Sequence, residues 1–276
     1  MSQNAKNYYL PGPSLWPVIA STALFLLASG LAMFMNKVAP GLYVMMAGGL
    51  VLAYLMYGWF GEVVRESVAG YFNRQVDLSF RWGMGWFIFS EVMFFFGFFG
   101  ALFYARNVSV PWIADAQILW PGFVAHWPTS GPGITEAFKP MAAWGLPAIN
   151  TLILLTSGAT ITWAHWGLLK SNRKQLTIGL ILTILLGVIF LFLQAHEYAE
   201  AGFTIKTGIY GTTFYMLTGF HGLHVTMGAI MLTIILLRVL KGHFNAEHHF
   251  AFEGVAWYWH FVDVVWLFLF IFVYWL

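Results

Sequence analysis

Seven long apolar runs constrain this chain more than any other feature of its sequence. They lie at about residues 15–35, 42–64, 81–105, 141–166, 175–195, 211–240 and 251–276. A helix rising about 1.5 Å per residue needs roughly 20 apolar residues to cross the hydrocarbon of a bilayer, and each run supplies them. The chain is 60% hydrophobic and only 9% charged, where a soluble domain is about a quarter charged. It therefore reads as an all-α membrane protein with seven transmembrane helices. Aromatics at 19% suit interfacial belts and packed helix faces. The absence of cysteine excludes disulfides and thiolate metal sites. A net charge of +2 is too small to point to nucleic acid. The N-terminal stretch MSQNAKNYYLPGPSLWP lacks a signal-peptide pattern, so the first run is expected to stay as a membrane helix.

Polar segments punctuate the runs. Residues 1–14 form a short arm broken by Pro11 and Pro13. The turn 36–41 makes a hairpin of the first two spans. Residues 67–80 are polar and read as a linker on the inner face, so the expected organisation is an arm with two helices (1–66), the linker (67–80) and a five-helix bundle (81–276). The long loop 107–140 holds five prolines, and Trp112, Trp120 and Trp127 suggest that it lies on the membrane surface. With the N-terminus inside, the inner segments hold Lys6, Arg65, Arg74, Arg81, Lys170, Arg173, Lys174, Arg238 and Lys241. The outer segments hold Lys37, Arg106, Lys139 and Lys206. The cationic excess places the N-terminus inside, the C-terminus outside and the long loop on the outer face.

Few polar groups sit within the spans. Glu91 lies near the middle of the third, with no charge closer than Arg81 and Arg106. An ionised carboxylate at that depth costs several kcal/mol. Such a group is either a functional site or a neutral carboxyl hydrogen-bonded between helices. His221 and His224 share one helix face, as do His260 and Asp263, and Glu253 precedes them in the last span. Two histidines with nearby carboxylates can bind a metal in a bundle, but no Glu-x-x-His pair is present. A structural polar network of His221, His224, Glu253, His260 and Asp263 is the reading preferred, with no metal and no catalytic residue in this chain. Arg65 and Glu66 close the second span. They either snorkel to the interface as an ion pair or bind a phospholipid head group through the guanidinium fork. Arg238 with Lys241 reads the same way. Gly83, Gly85, Gly97, Gly100, Gly219, Gly222 and Gly228 argue for closely approaching helices.

Several blocks resemble one family. AWYWHFVDVVWLF (256–268), TGFHGLHV (218–225), GIYGTTF (208–214), SEVMFF (90–95), TWAHW (162–166), LQAHEY (193–198), RES (65–67) and HHFAFE (248–253) look like subunit III of cytochrome c oxidase, in order and over nearly the whole chain. The resemblance implies a two-helix unit (spans 1–2) and a five-helix bundle (spans 3–7) in a V with a lipid cleft. It implies no haem or copper in this chain. Haem A and copper belong to the partner subunits, oxygen is reduced in subunit I, which is the main contact, and subunit II completes the core. Cytochrome c meets the chain only through the complex. The role implied is to support proton uptake, protect against turnover-linked inactivation and offer a lipid-lined route for oxygen in aerobic respiratory electron transport. Glu91 matches the family's carbodiimide-reactive intramembrane carboxyl, and Arg65 and Glu66 match residues near a bound phospholipid. The family's histidine pair after RES is absent here, and Arg74 stands as its substitute. The length of loop 107–140 favours a bacterial inner membrane, with the mitochondrial inner membrane as the alternative. The competing readings are the equivalent subunit of a quinol oxidase, commonly with five helices, and an independent proton-coupled transporter working through Glu91.

Overall fold

The computed structural model describes residues 8–134 and 137–276. Lys6, the rest of the first seven residues, and Thr135 and Glu136 of the long loop lie outside them. The described residues form helices and no strand: α1 (Trp16–Met35), α2 (Gly41–Val68), α3 (Arg74–Tyr104), α4 (Val110–Asp115), α5 (Leu146–Leu169), α6 (Arg173–Glu200), α7 (Gly208–Leu240) and α8 (Phe250–Leu269). Wider π-type turns at Ala105–Ser109 and Phe270–Trp275 carry α3 into α4 and extend α8. Seven helical stretches are long and apolar enough to cross a membrane, namely α1, α2, Arg74–Asp115, α5, α6, α7 and Phe250–Trp275. The chain divides into two compact units, Met1–Phe80 and Arg81–Leu276.

In the first unit α1 and α2 run antiparallel and meet at glycines. A Cβ on Gly30 would strike the backbone of Met45, one on Gly48 that of Leu27, and one on Gly41 that of Phe34. Missing side chains thus let the two backbones approach. At the open end of the hairpin Gly58 makes room for the Trp16 ring, whose Nε1 donates to Glu62. The Tyr9 hydroxyl donates to Glu66 at 2.8 Å and its ring stacks on Tyr71. Donating that hydrogen bond to a carboxylate raises the Tyr9 pKa above the usual phenol value, with some help from burial.

The second unit is built around α8. Trp259 and Trp266 are almost fully buried. Trp259 sits where Gly187 of α6 and Gly228 of α7 have no side chain, and its Nε1 donates to Ser157 Oγ of α5 at 2.9 Å. Trp266 Nε1 donates to Thr151 Oγ1 of α5 at 2.9 Å and packs edge-on against Phe190 of α6. The indoles contribute large apolar area while their one polar atom each is satisfied. Phe95 and Leu102 are the buried side chains that α3 contributes to this unit.

Two differences from the sequence reading have clear causes. Residues 74–80, expected as linker, already belong to α3, because Asn73 Oδ1 accepts from the amides of Gln75 and Val76 at 3.0 Å each and caps the helix. The segment 107–115, expected as loop, stays helical: the wider π-type turn at Ala105–Ser109 carries the helix into α4, and Pro111 follows directly after it. Part of the loop packs on the start of α7: Trp127 and Phe138 contact the Tyr210 ring, and the Tyr210 amide donates to Thr129 O at 3.3 Å.

Candidate functional site

Glu91 and His224 stand 133 residues apart in sequence, and α3 and α7 bring them together. Glu91 Oε2 lies 2.8 Å from His224 Nε2. The ring is fixed from behind, since Nδ1 is 2.7 Å from Phe220 O. A carbonyl can only accept, so Nδ1 carries a proton. The contact between Nε2 and Oε2 then needs one more proton, and either partner can hold it. A neutral imidazole accepts from a carboxylic acid, or an imidazolium donates to a carboxylate. In both forms the pair holds one shared proton and has no net charge, the arrangement a low-dielectric span favours. Phe95 meets the His224 ring edge-on at 4.9 Å, and Tyr258 lies parallel to it at 6.4 Å.

Beside this pair runs an apolar groove of about 730 Å³ between α3 and the outward-facing side of α8. Val92, Phe95, Phe99, Phe261 and Phe268 line it, together with Arg106 and Asn107. The glycines of α3 do not serve packing within this chain. A Cβ on Gly83, Gly85, Gly97 or Gly100 would meet nothing within 4 Å, and the same holds for Gly219 and Gly222 of α7. Of the seven glycines marked in the sequence for close approach, Gly228 alone meets neighbouring side chains, those of Trp259 and Tyr258.

The five residues expected to share a polar network fall into separate contacts. His221 is buried and its Nε2 lies 3.2 Å from Val262 O, beside the Trp266 ring. His224 belongs with Glu91. His260 Nε2 is 3.3 Å from Thr162 Oγ1, and its Nδ1 is 3.9 Å from Asp263 Oδ2, too long for a hydrogen bond. The buried Asp263 carboxyl occupies the space left by Gly158. Glu253 pairs with Arg81 through Oε2 and faces His165 and His249 through Oε1. His165 and His249 were not among the sequence candidates; the i,i+4 spacing of His249 and Glu253 was the available signal. Glu197, near the end of α6, is buried near Gln194 and Tyr274.

Of the basic residues assigned to lipid, Arg65 and Arg74 are exposed in the first unit, and Glu66 is the acceptor for Tyr9. Arg238, in the second unit, is largely buried, with its guanidinium 4.5 Å above the Phe244 ring. That cation–π contact holds the charge in place near the end of α7.

Comparison with known proteins agrees with this architecture. The family model described as cytochrome c oxidase subunit III matches residues 6–276. Proteins named cytochrome c oxidase subunit 3 are similar along their whole length. The one from Struthio camelus is 44% identical over 276 residues, covering 100% of this chain and 99% of its own. That from Homo sapiens is 43% identical over 276 residues with the same coverage. That from Prototheca wickerhamii is 45% identical over 259 residues, covering 94% and 93%. A multi-pass helical chain matched end to end in this way belongs to the cytochrome c oxidase subunit III family and is a subunit of that oxidoreductase complex.

Proposed function

We propose that the chain is the non-catalytic third core subunit of a proton-pumping cytochrome c oxidase. Its main contact is subunit I, which holds haem A and copper, with subunit II completing the core and phospholipid bound to the chain. The spans are oriented with the N-terminus inside an energy-transducing inner membrane. The long loop favours a bacterial one; the animal and algal relatives raise the mitochondrial alternative. Its role is to support proton uptake, to keep the complex from inactivating during turnover and to provide an apolar route for oxygen.

The observation that carries this reading is the Glu91–His224 pair beside the apolar groove. A shared proton and no net charge make the pair compatible with surrounding lipid, and a groove walled by phenylalanine admits an acyl chain or a small apolar gas more readily than an ion. A transporter would need polar groups leading to and from Glu91, whereas the rings around its partner His224 are those of Phe94, Phe95 and Tyr258. Arg65 and Arg74 in the first unit, and Arg238 in the second, are assigned to phospholipid head groups through the fork a guanidinium offers to phosphate, with Glu66 beside Arg65.

The test is a gentle-detergent purification on a tag at the N-terminus of this chain, followed by an optical spectrum, protein mass spectrometry and oxygen uptake with cytochrome c. Co-elution with haem A and two further core subunits, with cytochrome c turnover, is expected. Stripping the chain from the complex is expected to leave oxygen reduction and to shorten the time for which turnover persists. A solitary colourless chain would overturn the assignment of partners, and unchanged persistence after stripping would overturn the protective role.

A further inference from the structure

We propose that His165, His249 and Glu253 form a binding site for a divalent transition-metal cation of the zinc type, at the end of the second unit where α5 stops and α8 starts. His165 lies near the end of α5, His249 immediately precedes α8, and Glu253 is in its first turn. One ligand atom from each lies within 4.8 Å of the other two. Glu253 Oε1 is 3.2 Å from His249 Nε2 and 3.6 Å from His165 Nε2. Ligands held about 2.0–2.1 Å from a tetrahedral zinc stand roughly 3.3 Å apart, and the two distances bracket that value.

The lone pairs argue the same way. His249 Nδ1 is 3.2 Å from Asn245 O, which can only accept, so Nδ1 carries the proton. In the neutral ring Nε2 then aims a lone pair at Glu253 Oε1. A backbone carbonyl holding the far nitrogen is also the usual support behind a metal-bound imidazole. His165 Nε2 is out of contact with solvent and has no hydrogen-bond partner among the described residues. A proton between His249 and Glu253 would serve that pair and still leave His165 unserved. A single cation among the three serves all of them. Arg81 engages the other carboxylate oxygen, which fixes the acid while leaving Oε1 turned toward the imidazoles.

Two imidazoles and one carboxylate form a donor set suited to zinc and its neighbours in the transition series, with a fourth position for water. Magnesium and calcium, which seek six or more oxygens, fit it poorly. The cation would join α5 to α8 through side chains 84 or more residues apart in sequence.

The test uses the full chain in detergent, carried on a histidine-free tag and stripped with a chelator. Zinc is titrated in competition with a chromophoric chelator, and cobalt is added separately to read its visible bands. We expect one zinc per chain and the strong absorption of four-coordinate cobalt. His165→Ala and His249→Ala should each weaken zinc by at least about 100-fold, while His126→Ala, in the distant loop, leaves it unchanged. The Tm of the unaltered chain should rise with added zinc and that of His165→Ala should not. His165→Ala gives up no hydrogen bond at Nε2, so it is expected to fold even where Glu253→Gln, which loses its charge partner for Arg81, does not. Zinc bound with the same stoichiometry and affinity by the His165→Ala/His249→Ala double variant would overturn the site. So would a dissociation constant weaker than about 1 mM in the unaltered chain.

Discussion

The helices α3 and α8 are almost equally apolar and both are long enough to span a bilayer, yet they have opposite fates. Of the most apolar window in α8 and its extension, 50% is buried; of the corresponding window in α3 and its extension, 11% is. α8 directs Trp259, Trp266 and Asp263 at glycines and hydroxyls on α5, α6 and α7. α3 leaves its glycines beside open space and exposes Trp82, Trp86, Phe96 and Phe103. Hydropathy therefore reports which segments avoid water, and it cannot say what replaces the water. In α8 the replacement is the rest of the chain; in α3 it is lipid or another subunit.

The comparison is broken most directly at Trp259. Replacing it with alanine empties the space between Gly187 and Gly228 and frees Ser157 Oγ from its donor. A loss of about 3–5 kcal/mol is expected, read as a lower melting temperature of the detergent-solubilised chain. Trp86→Ala on the exposed part of α3 should change that temperature little. Equal losses at the two tryptophans would erase the distinction drawn between the helices.

Next in size is a glycine pair. Gly228→Leu drives a side chain into the Trp259 ring and is expected to cost about 1–3 kcal/mol. Gly97→Leu meets open space within this chain and should stay within about 0.5 kcal/mol by the same measurement. A loss of partner subunits from the purified Gly97→Leu complex, with the chain itself stable, would sharpen the comparison by showing what lies against α3.

The same contrast explains what could be read in advance. Seven spans were legible because hydropathy is local and strong, and the all-α class followed directly. The early start of α3 was legible too, had Asn73 been read as a cap. The glycines misled because spacing marks a small residue without marking its neighbour: Gly97 and Gly228 look alike in sequence and differ only once the chain is folded. Glu91 could be singled out as an isolated acid. Its partner could not, because nothing in α3 points to a histidine on α7. His165 was overlooked for the same reason, since its acid lies on α8.

Glu91→Gln separates two meanings of the shared proton. The carboxamide can donate to a neutral His224 Nε2 as a protonated Glu91 would, so the contact between α3 and α7 survives. Oxygen reduction by the assembled complex is expected within about twofold of the unaltered rate, while labelling of the chain by a hydrophobic carbodiimide is lost. His224→Ala instead leaves the carboxyl without that partner and should cost about 1–3 kcal/mol of chain stability. Complete loss of turnover in a fully haemylated Glu91→Gln complex would make the carboxyl an obligatory relay, and labelling unchanged in that variant would place the reactive acid elsewhere.

The smallest effect expected is at Arg65. Its side chain is exposed near the end of α2, next to a glutamate already engaged by Tyr9. Arg65→Ala should therefore leave the hairpin folded, because the backbone contacts at Gly30 and Gly48 are untouched. If the guanidinium holds a phosphate, the variant should bind phospholipid roughly tenfold more weakly, a difference of about 1.4 kcal/mol. Lipid mass spectrometry on the purified complex reads this as fewer retained phospholipids, with Arg65→Lys intermediate because a point charge replaces a two-pronged donor. Retention unchanged in Arg65→Ala would return the residue to the simpler role of a cation resting its stem on the apolar end of α2.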